Sequence, residues 1–273
     1  MADDVQDPTP HADPAPASPR LAWLSGARAG YAALAVSVVA LGLAVAPYAT
    51  GGFDGRVRAY LLNHPELLQE MSAALQSRDE QSRVATINQA AAANPALLAV
   101  DARDPAFGPA DAKVTVIEFF DFRCPGCKAV AHDYRALMAA HPEVRFVFKD
   151  WPILDRGDDV TSQYAARAAL AAHQQGKYLA VYDALMEEPA LTIESVDRIL
   201  VEQGVDLARA KTVLASPQTT RHVADIHTIA ATLRLQGTPT FFVNGVKVIT
   251  PGSPSGTSLA DLSKAIDAEL AKS

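Results

Sequence analysis

Residues Glu118 to Val130 read EFFDFRCPGCKAV. Cys124 and Cys127, with Pro125 and Gly126 between them, are the only cysteines among 273 residues. The C-x-x-C spacing has three common uses: half of a zinc site, a copper site, or a reversible disulfide. The flanks narrow the choice. Lys113–Phe120 (KVTVIEFF) is β-branched and aromatic, the pattern of a buried strand. Cys124–Ala140 follows as a helix that ends near His141-Pro142, and Val144–Lys149 (VRFVFK) is a second strand. Strand, helix, strand opens an α/β unit with a parallel pair.

Cys124 therefore stands at a helix amino terminus, where unpaired N–H groups and the helix dipole favour negative charge. Thiols at such places ionise at roughly 3.5 to 7.5, against about 8.5 for a free one. Cys124 is expected to be exposed and to attack. Cys127, almost one turn on, is expected to be more buried and to resolve a mixed disulfide. Pro125 suits a first turn, because its missing N–H is not needed there. A zinc site needs two further ligands. His132 lies five residues past Cys127, about 140° around the helix, and His222 and His227 are also five apart. No metal is expected on that count, although copper(I) on the two thiolates stays open.

Beyond the pair, some eighty residues carry no strand pattern. They are alanine-rich and helical (QYAARAALAAHQQ, KYLAVYDALM, SVDRILVEQ, LARAKTVLA), with breaks at Gly176, Pro189, Gly204 and Pro217. Strands return at Thr240–Val243 and Val246–Ile249, joined by Asn244-Gly245, a hairpin signal. A last helix is expected over about Thr257–Ala271. Gly237-Thr238-Pro239-Thr240 stands directly before the hairpin.

This order of elements resembles the thioredoxin superfamily. Cys127 and Thr238 lie 111 residues apart with helices between them, a layout similar to the DsbA-like branch, in which a helical domain is inserted into the thioredoxin fold. EFFDFRCPGCK and FVFKDWPI are similar to that branch as well. The resemblance covers about 105–271. It implies an α/β thioredoxin fold and a redox-active disulfide, Cys124–Cys127, with no other cofactor. It also implies that the proline of Thr238-Pro239 is cis and lies against the disulfide. Thr238 and Pro239 would then bind substrate by offering a backbone edge to an unfolded strand. Glu118 would be a buried acid that helps move the Cys127 proton. Lys149 is a candidate partner for Glu118. Asp121 and Arg123 border the site. Where DsbA-type oxidases carry Pro-His between the cysteines, this chain has Pro125-Gly126, which implies a less oxidising couple and favours disulfide isomerase or reductase work over oxidase work. The alternatives are a disulfide-forming oxidase and a copper(I) chaperone using the same thiolates.

The amino-terminal third is organised differently. Residues 1–28 open with a proline- and aspartate-rich stretch, read as a disordered cytoplasmic tail. No charge falls between Arg28 and Asp54. The run 29–50 is long enough for a transmembrane anchor, which needs about 20 apolar residues, or for a signal peptide. Either would export the rest to an oxidising compartment, the periplasmic side of an inner membrane. Residues 53–93 look helical. Asp54 is expected to cap Gly55–Leu62, and Asn63 to cap the next helix. Val57, Leu61, His64, Leu68, Met71 and Leu75 alternate at spacings of four and three, a coiled-coil-like seam. RVRAYLLNHPELLQEMSAALQSR resembles the segment that precedes the catalytic domain in ScsC-type (suppressor of copper sensitivity) relatives of DsbA, which implies a homo-oligomer through residues 53–83. The thioredoxin fold is assigned to 97–156 and 236–271, and the inserted helical domain to 157–235.

The implied partners are unfolded or misoxidised exported proteins, a membrane redox partner, and the membrane itself through 29–50. The formal net charge is −7, without a basic block, which speaks against nucleic acid, since phosphate contacts need clustered cations.

Overall fold

The computed structural model describes residues 27–49, 52–249 and 257–272. The expected tail lies almost wholly outside them. Two compact units divide the chain, residues 1–70 and 71–273.

In the first unit, α1 (Ala27–Ala49) and α2 (Gly52–Asn63) are helical, and α3 (Pro65–Ala93) begins. Asp54 sits inside the first turn of α2 rather than capping it. Asn63 is likewise the last residue of α2, not the cap of the next helix. His64 stands between the helices and contacts Glu66 at 2.9 Å. The expected membrane anchor over 29–50 is not supported: the stretch forms α1, but among the described residues no helix is long and apolar enough to cross a membrane.

Among the described residues the second unit has five strands: β1 (Ala106–Phe107), β2 (Thr115–Phe120), β3 (Arg145–Asp150), β4 (Thr240–Val243) and β5 (Val246–Lys247). Their order across the sheet is β1-β3-β2-β4-β5. Only β2 and β3 are parallel, and α4 (Pro125–Ala140) makes the crossover that a parallel pair requires. β4 runs antiparallel to β2, and β5 antiparallel to β4. The turn between β4 and β5 has positive φ at both Asn244 (46°) and Gly245 (83°), as a two-residue primed turn demands. β1 was not foreseen, since two residues carry no period. It fits beside β3 because Gly108 adopts φ +92°, and a Cβ there would lie 2.1 Å from the Val144 carbonyl oxygen.

Strand side chains alternate between two faces. Val116, Phe120, Phe146, Phe148, Phe241 and Val243 join the core under α4, together with Leu262 and Ile266 of α10 (Leu259–Leu270). Ile117, Phe119, Val147 and Phe242 face the other way. There Ile87 and Ala91 of α3 pack on them with Ile226 and Ala230 of α9 (Pro217–Thr232). The carboxyl-terminal half of α3 is thus part of the second unit's core, while Met71 and Leu75 remain exposed.

Between β3 and β4 run α5 (Thr161–His173), α6 (Tyr178–Glu187), α7 (Ile193–Glu202), α8 (Leu207–Leu214) and α9. The alanines make this packing possible. Ala165, Ala168, Ala169, Ala171 and Ala172 of α5 are fully buried, and their small side chains let neighbouring helices approach closely. Thr192, Asp206 and Ser216 cap α7, α8 and α9 by accepting backbone N–H groups. Of these helices, α5 to α8 share the core under α4 with the sheet.

Candidate active site

The site begins where β2 ends. After Phe120, Asp121 turns the chain so that the Cys124 N–H donates to its carbonyl at 3.0 Å. The Asp121 side chain is buried and fully occupied. It accepts from the N–H groups of Arg123 (2.8 Å), Ile153 (2.8 Å) and Leu154 (3.0 Å), and from the Ser162 hydroxyl (2.9 Å). This carboxylate ties the turn before the cysteines to the segment after β3 and to α5. Arg123 reaches Asp159 at 2.6 Å and Asp155 at 3.3 Å, while Asp155 accepts N–H groups of Ser162 and Gln163 at the start of α5. Both residues thus build the site's frame.

Cys124 is the residue immediately before α4, with extended backbone (φ −72°, ψ 120°), and Pro125 starts the helix. Both cysteines are free thiols. The Cys124 sulfur donates to the Thr238 carbonyl oxygen at 3.2 Å, and the Thr238-Pro239 peptide bond is cis. The structure therefore brings Cys124, Cys127, Thr238 and Pro239 together as the resemblance implied. One expectation needs correcting. Cys124 is not openly exposed: it is 8% accessible, because the Thr238-Pro239 loop lies against it, although Cys127 at 0% is deeper. Gly126 completes the contact. A Cβ there would stand 3.3 Å from Pro239 Cδ and 3.7 Å from the Cys124 sulfur.

The two thiols are driven apart electrostatically. Cys124 is lowered to about 6, first by the Cys127 thiol, with help from the Thr238 side chain and the N–H groups of Cys127 and Gly126, and against its own burial. The carbonyl of Thr238 favours the protonated form, so ionisation exchanges that bond for the donors around it. Cys127 is pushed well above the ordinary thiol range, chiefly by desolvation.

Glu118 lies beneath, on the α4 face of β2 and fully buried. Burial raises it to about 8. Its Oε2 accepts a 3.3 Å hydrogen bond from Tyr182, and its Oε1 has no partner. Lys149 does not pair with it. Neighbouring residues on a strand point to opposite faces, and in the β2–β3 register Glu118 stands beside Phe148 and Phe119 beside Lys149. Lys149 instead meets Asp104 at 2.5 Å on the other face.

Three residues of this floor escaped the sequence reading. Tyr178 and Tyr182 are fully buried and stacked, with ring centroids 6.2 Å apart. Tyr178 donates to Asp150 at 3.0 Å, and burial raises that carboxyl well above its ordinary range. The available signal was the pair of tyrosines four apart in KYLAVYDALM, one face of a helix. Among the described residues no group of three or more His, Cys, Asp or Glu could hold a metal ion.

The chain matches the family model described as Thioredoxin over residues 101–268. Residues 53–81 match the Copper resistance protein ScsC N-terminal domain. Among curated relatives it is 33% identical over 173 residues to Na(+)/H(+) antiporter NhaA 3 of Salinispora tropica, covering 62% of this chain but 26% of that protein. The chain thus spans about a quarter of that relative. It is 30% identical over 179 residues to Probable disulfide bond formation protein D of Bacillus anthracis, covering 60% of this chain and 77% of that protein. Among solved structures, a thioredoxin-like oxidoreductase from Silicibacter pomeroyi superposes with a TM-score of 0.55 at 36% identity, covering 63% of this chain and 95% of that one.

Proposed function

The chain belongs to the thioredoxin family, and from that premise we propose that it is a thiol–disulfide oxidoreductase of the DsbA-like, ScsC type, acting on protein cysteines as an isomerase or reductase. The observation that carries this is the pairing of a low-pKa thiol with a substrate edge. Cys124 sits at a helix start with its sulfur 3.2 Å from the Thr238 carbonyl.

At neutral pH most of Cys124 is thiolate. It attacks one sulfur of a substrate disulfide, forming a Cys124–substrate bond while the other substrate sulfur leaves as a thiolate. Cys127 then gives its proton to the Glu118 carboxylate and attacks the Cys124 sulfur. The Cys124–Cys127 bond forms, the second substrate sulfur leaves, and two electrons have passed from the pair to the substrate. The reverse sequence oxidises a dithiol. A carboxyl near 8 suits this exchange, because a general base works best with a pKa close to the working pH.

Isomerase or reductase work is favoured by Pro125-Gly126: Gly126 places no ionisable side chain beside the Cys124 sulfur. Self-association through 53–83 is supported by exposed apolar residues of the expected seam, Val57 and Leu68 in the first unit and Met71 and Leu75 in the second, and by the match over 53–81. Export to an oxidising compartment, where a reversible disulfide can persist, forms part of the same reading. Unfolded or misoxidised exported proteins are the substrates on this reading, and a membrane redox partner restores the pair.

The test is the reduction potential of the Cys124–Cys127 couple, taken by equilibrating the full chain with glutathione. A value at or below about −180 mV fits an isomerase or reductase, and one near about −120 mV makes it an oxidase. Failure to form a reversible disulfide removes the enzyme reading, and copper(I) binding by the two thiols takes its place.

A further inference from the structure

A groove of about 150 Å³ runs beside the Thr238-Pro239 loop. One wall is Thr238, Pro239 and Thr240, the segment that touches the Cys124 sulfur. The other is α3, which contributes Glu80 and Arg83, with Lys247 of β5 between them. The α3 wall is fixed rather than draped. Ile87, one turn past Arg83, is 3% accessible in the core behind the sheet, and Asn88 accepts the Lys247 N–H at 2.8 Å.

The charges in the groove do not balance. Among the described residues Glu80 is the one anion lining it, and it serves two cations, Arg83 at 2.8 Å and Lys247 at 3.7 Å. The Lys247 side chain is only 14% accessible, so its ammonium has lost much of its water while its contact with Glu80 stays long. Desolvation pulls its pKa below the usual lysine range despite Glu80. An occupant bringing a carboxylate would supply the missing partner, in a chain whose overall charge of −7 would otherwise repel it.

We propose that this groove is a specificity subsite, in which α3 and Lys247 receive the residues flanking a substrate cysteine and favour an acidic one. This rests on the thiol–disulfide exchange proposed above and names the substrate class for it. A substrate strand paired along the Thr238 edge has its cysteine at Cys124 and its neighbouring side chains between the two walls. The helix ahead of the fold then reads substrate as well as carrying the seam.

The experiment uses the reduced full chain and short peptides whose single cysteine is disulfide-bonded to 4-thiopyridine, with Glu, Gln or Lys two residues away. The Cys124 thiolate forms a disulfide to the peptide sulfur, and 4-thiopyridone leaves and is read by absorbance. At low ionic strength the Glu peptide is expected to react about fivefold faster than the Lys peptide, with Gln between, the scale of a partly screened ion pair. Lys247→Gln and, separately, Arg83→Gln at a more exposed position should each shrink that ratio, whereas Lys264→Gln on α10 should not. Equal rates for the three peptides, or a ratio that survives both groove variants, would overturn the subsite alone. No release from any peptide would overturn the exchange reading and the subsite with it.

Discussion

The two faces of the sheet both bury ionisable side chains, and they differ in whether the buried acid meets a cation. On the face turned away from α4, the Lys149 ammonium, 1% accessible, meets Asp104 at 2.5 Å, and Asp104 also accepts the Asp101 N–H at 2.8 Å. His222 stands 3.3 Å from the second Asp104 oxygen without hydrogen-bonding to it, so that oxygen, like one oxygen each of Glu118 and Asp150, has no hydrogen-bond partner. On the α4 face, Glu118 has one 3.3 Å hydrogen bond and an orphaned oxygen. Asp150 is placed similarly, with Tyr178 on one oxygen and nothing on the other. A paired buried charge holds structure together. An under-satisfied buried acid beside two thiols is disfavoured as a charge, which is the property a proton carrier needs.

Variants can break this contrast. The largest effect belongs to the paired face. Asp104→Ala strands the Lys149 ammonium in the core and should cost about 3–5 kcal/mol, read from urea denaturation midpoints. A loss below about 1 kcal/mol would mean that the pair is not the structural element described. The same kind of change on the α4 face should act on chemistry instead. Glu118→Gln should slow release of a Cys124 mixed disulfide by on the order of a hundredfold, the scale of general-base catalysis. Stopped-flow turnover unchanged from wild type would remove Glu118 from the mechanism.

Stability should move in the other direction. The Glu118 carboxyl is raised from 4.5 to about 8 on folding, so its ionised form is what the fold disfavours. That penalty is absent below about pH 4.5, grows as pH rises, and is complete above about pH 8. Glu118→Gln should therefore be nearly neutral at pH 4.5 and stabilising at pH 9, by on the order of 5 kcal/mol. Equal stability of the two proteins at both pH values would show that Glu118 is not desolvated.

How much of this was legible in the sequence follows from the range of the interactions. The strand, C-x-x-C helix, strand order and the Asn244-Gly245 turn are local patterns, and β4 spans the expected residues. The meeting of Thr238-Pro239 with Cys124 spans 114 residues and came from family resemblance, not from any local pattern. Lys149 does not face Glu118 because of the register between β2 and β3, and two strands apolar on both faces carry no alternation from which that register could be read. Asp104, 45 residues away in an irregular segment, carried no signal of its own. The covering of Cys124 and the integration of Val84, Ile87 and Ala91 into the core are tertiary facts with no local trace.

Two smaller effects sharpen the contrast within the site. Cys127 is the first cause of the low Cys124 pKa. Cys127→Ala should move the pH midpoint of Cys124 alkylation upward from about 6, by about one unit or 1.4 kcal/mol. An unmoved midpoint would assign the effect to the helix start alone. Gly126→Ala should be milder, under about 1 kcal/mol in stability, because its Cβ lies 3.3 Å from Pro239 Cδ and the loop must give by only a few tenths of an ångström. A loss above about 2 kcal/mol would mean that the loop cannot move.

The most direct test of the division between the two cysteines is trapping. The full chain carrying Cys127→Ala, and separately Cys124→Ala, is expressed in an oxidising compartment, quenched with acid and resolved without reductant. The mechanism predicts disulfide-linked protein adducts on Cys124 in the first variant, released by dithiothreitol, and none on Cys127 in the second. Adducts on Cys127 in the second variant, or none in the first, would contradict it.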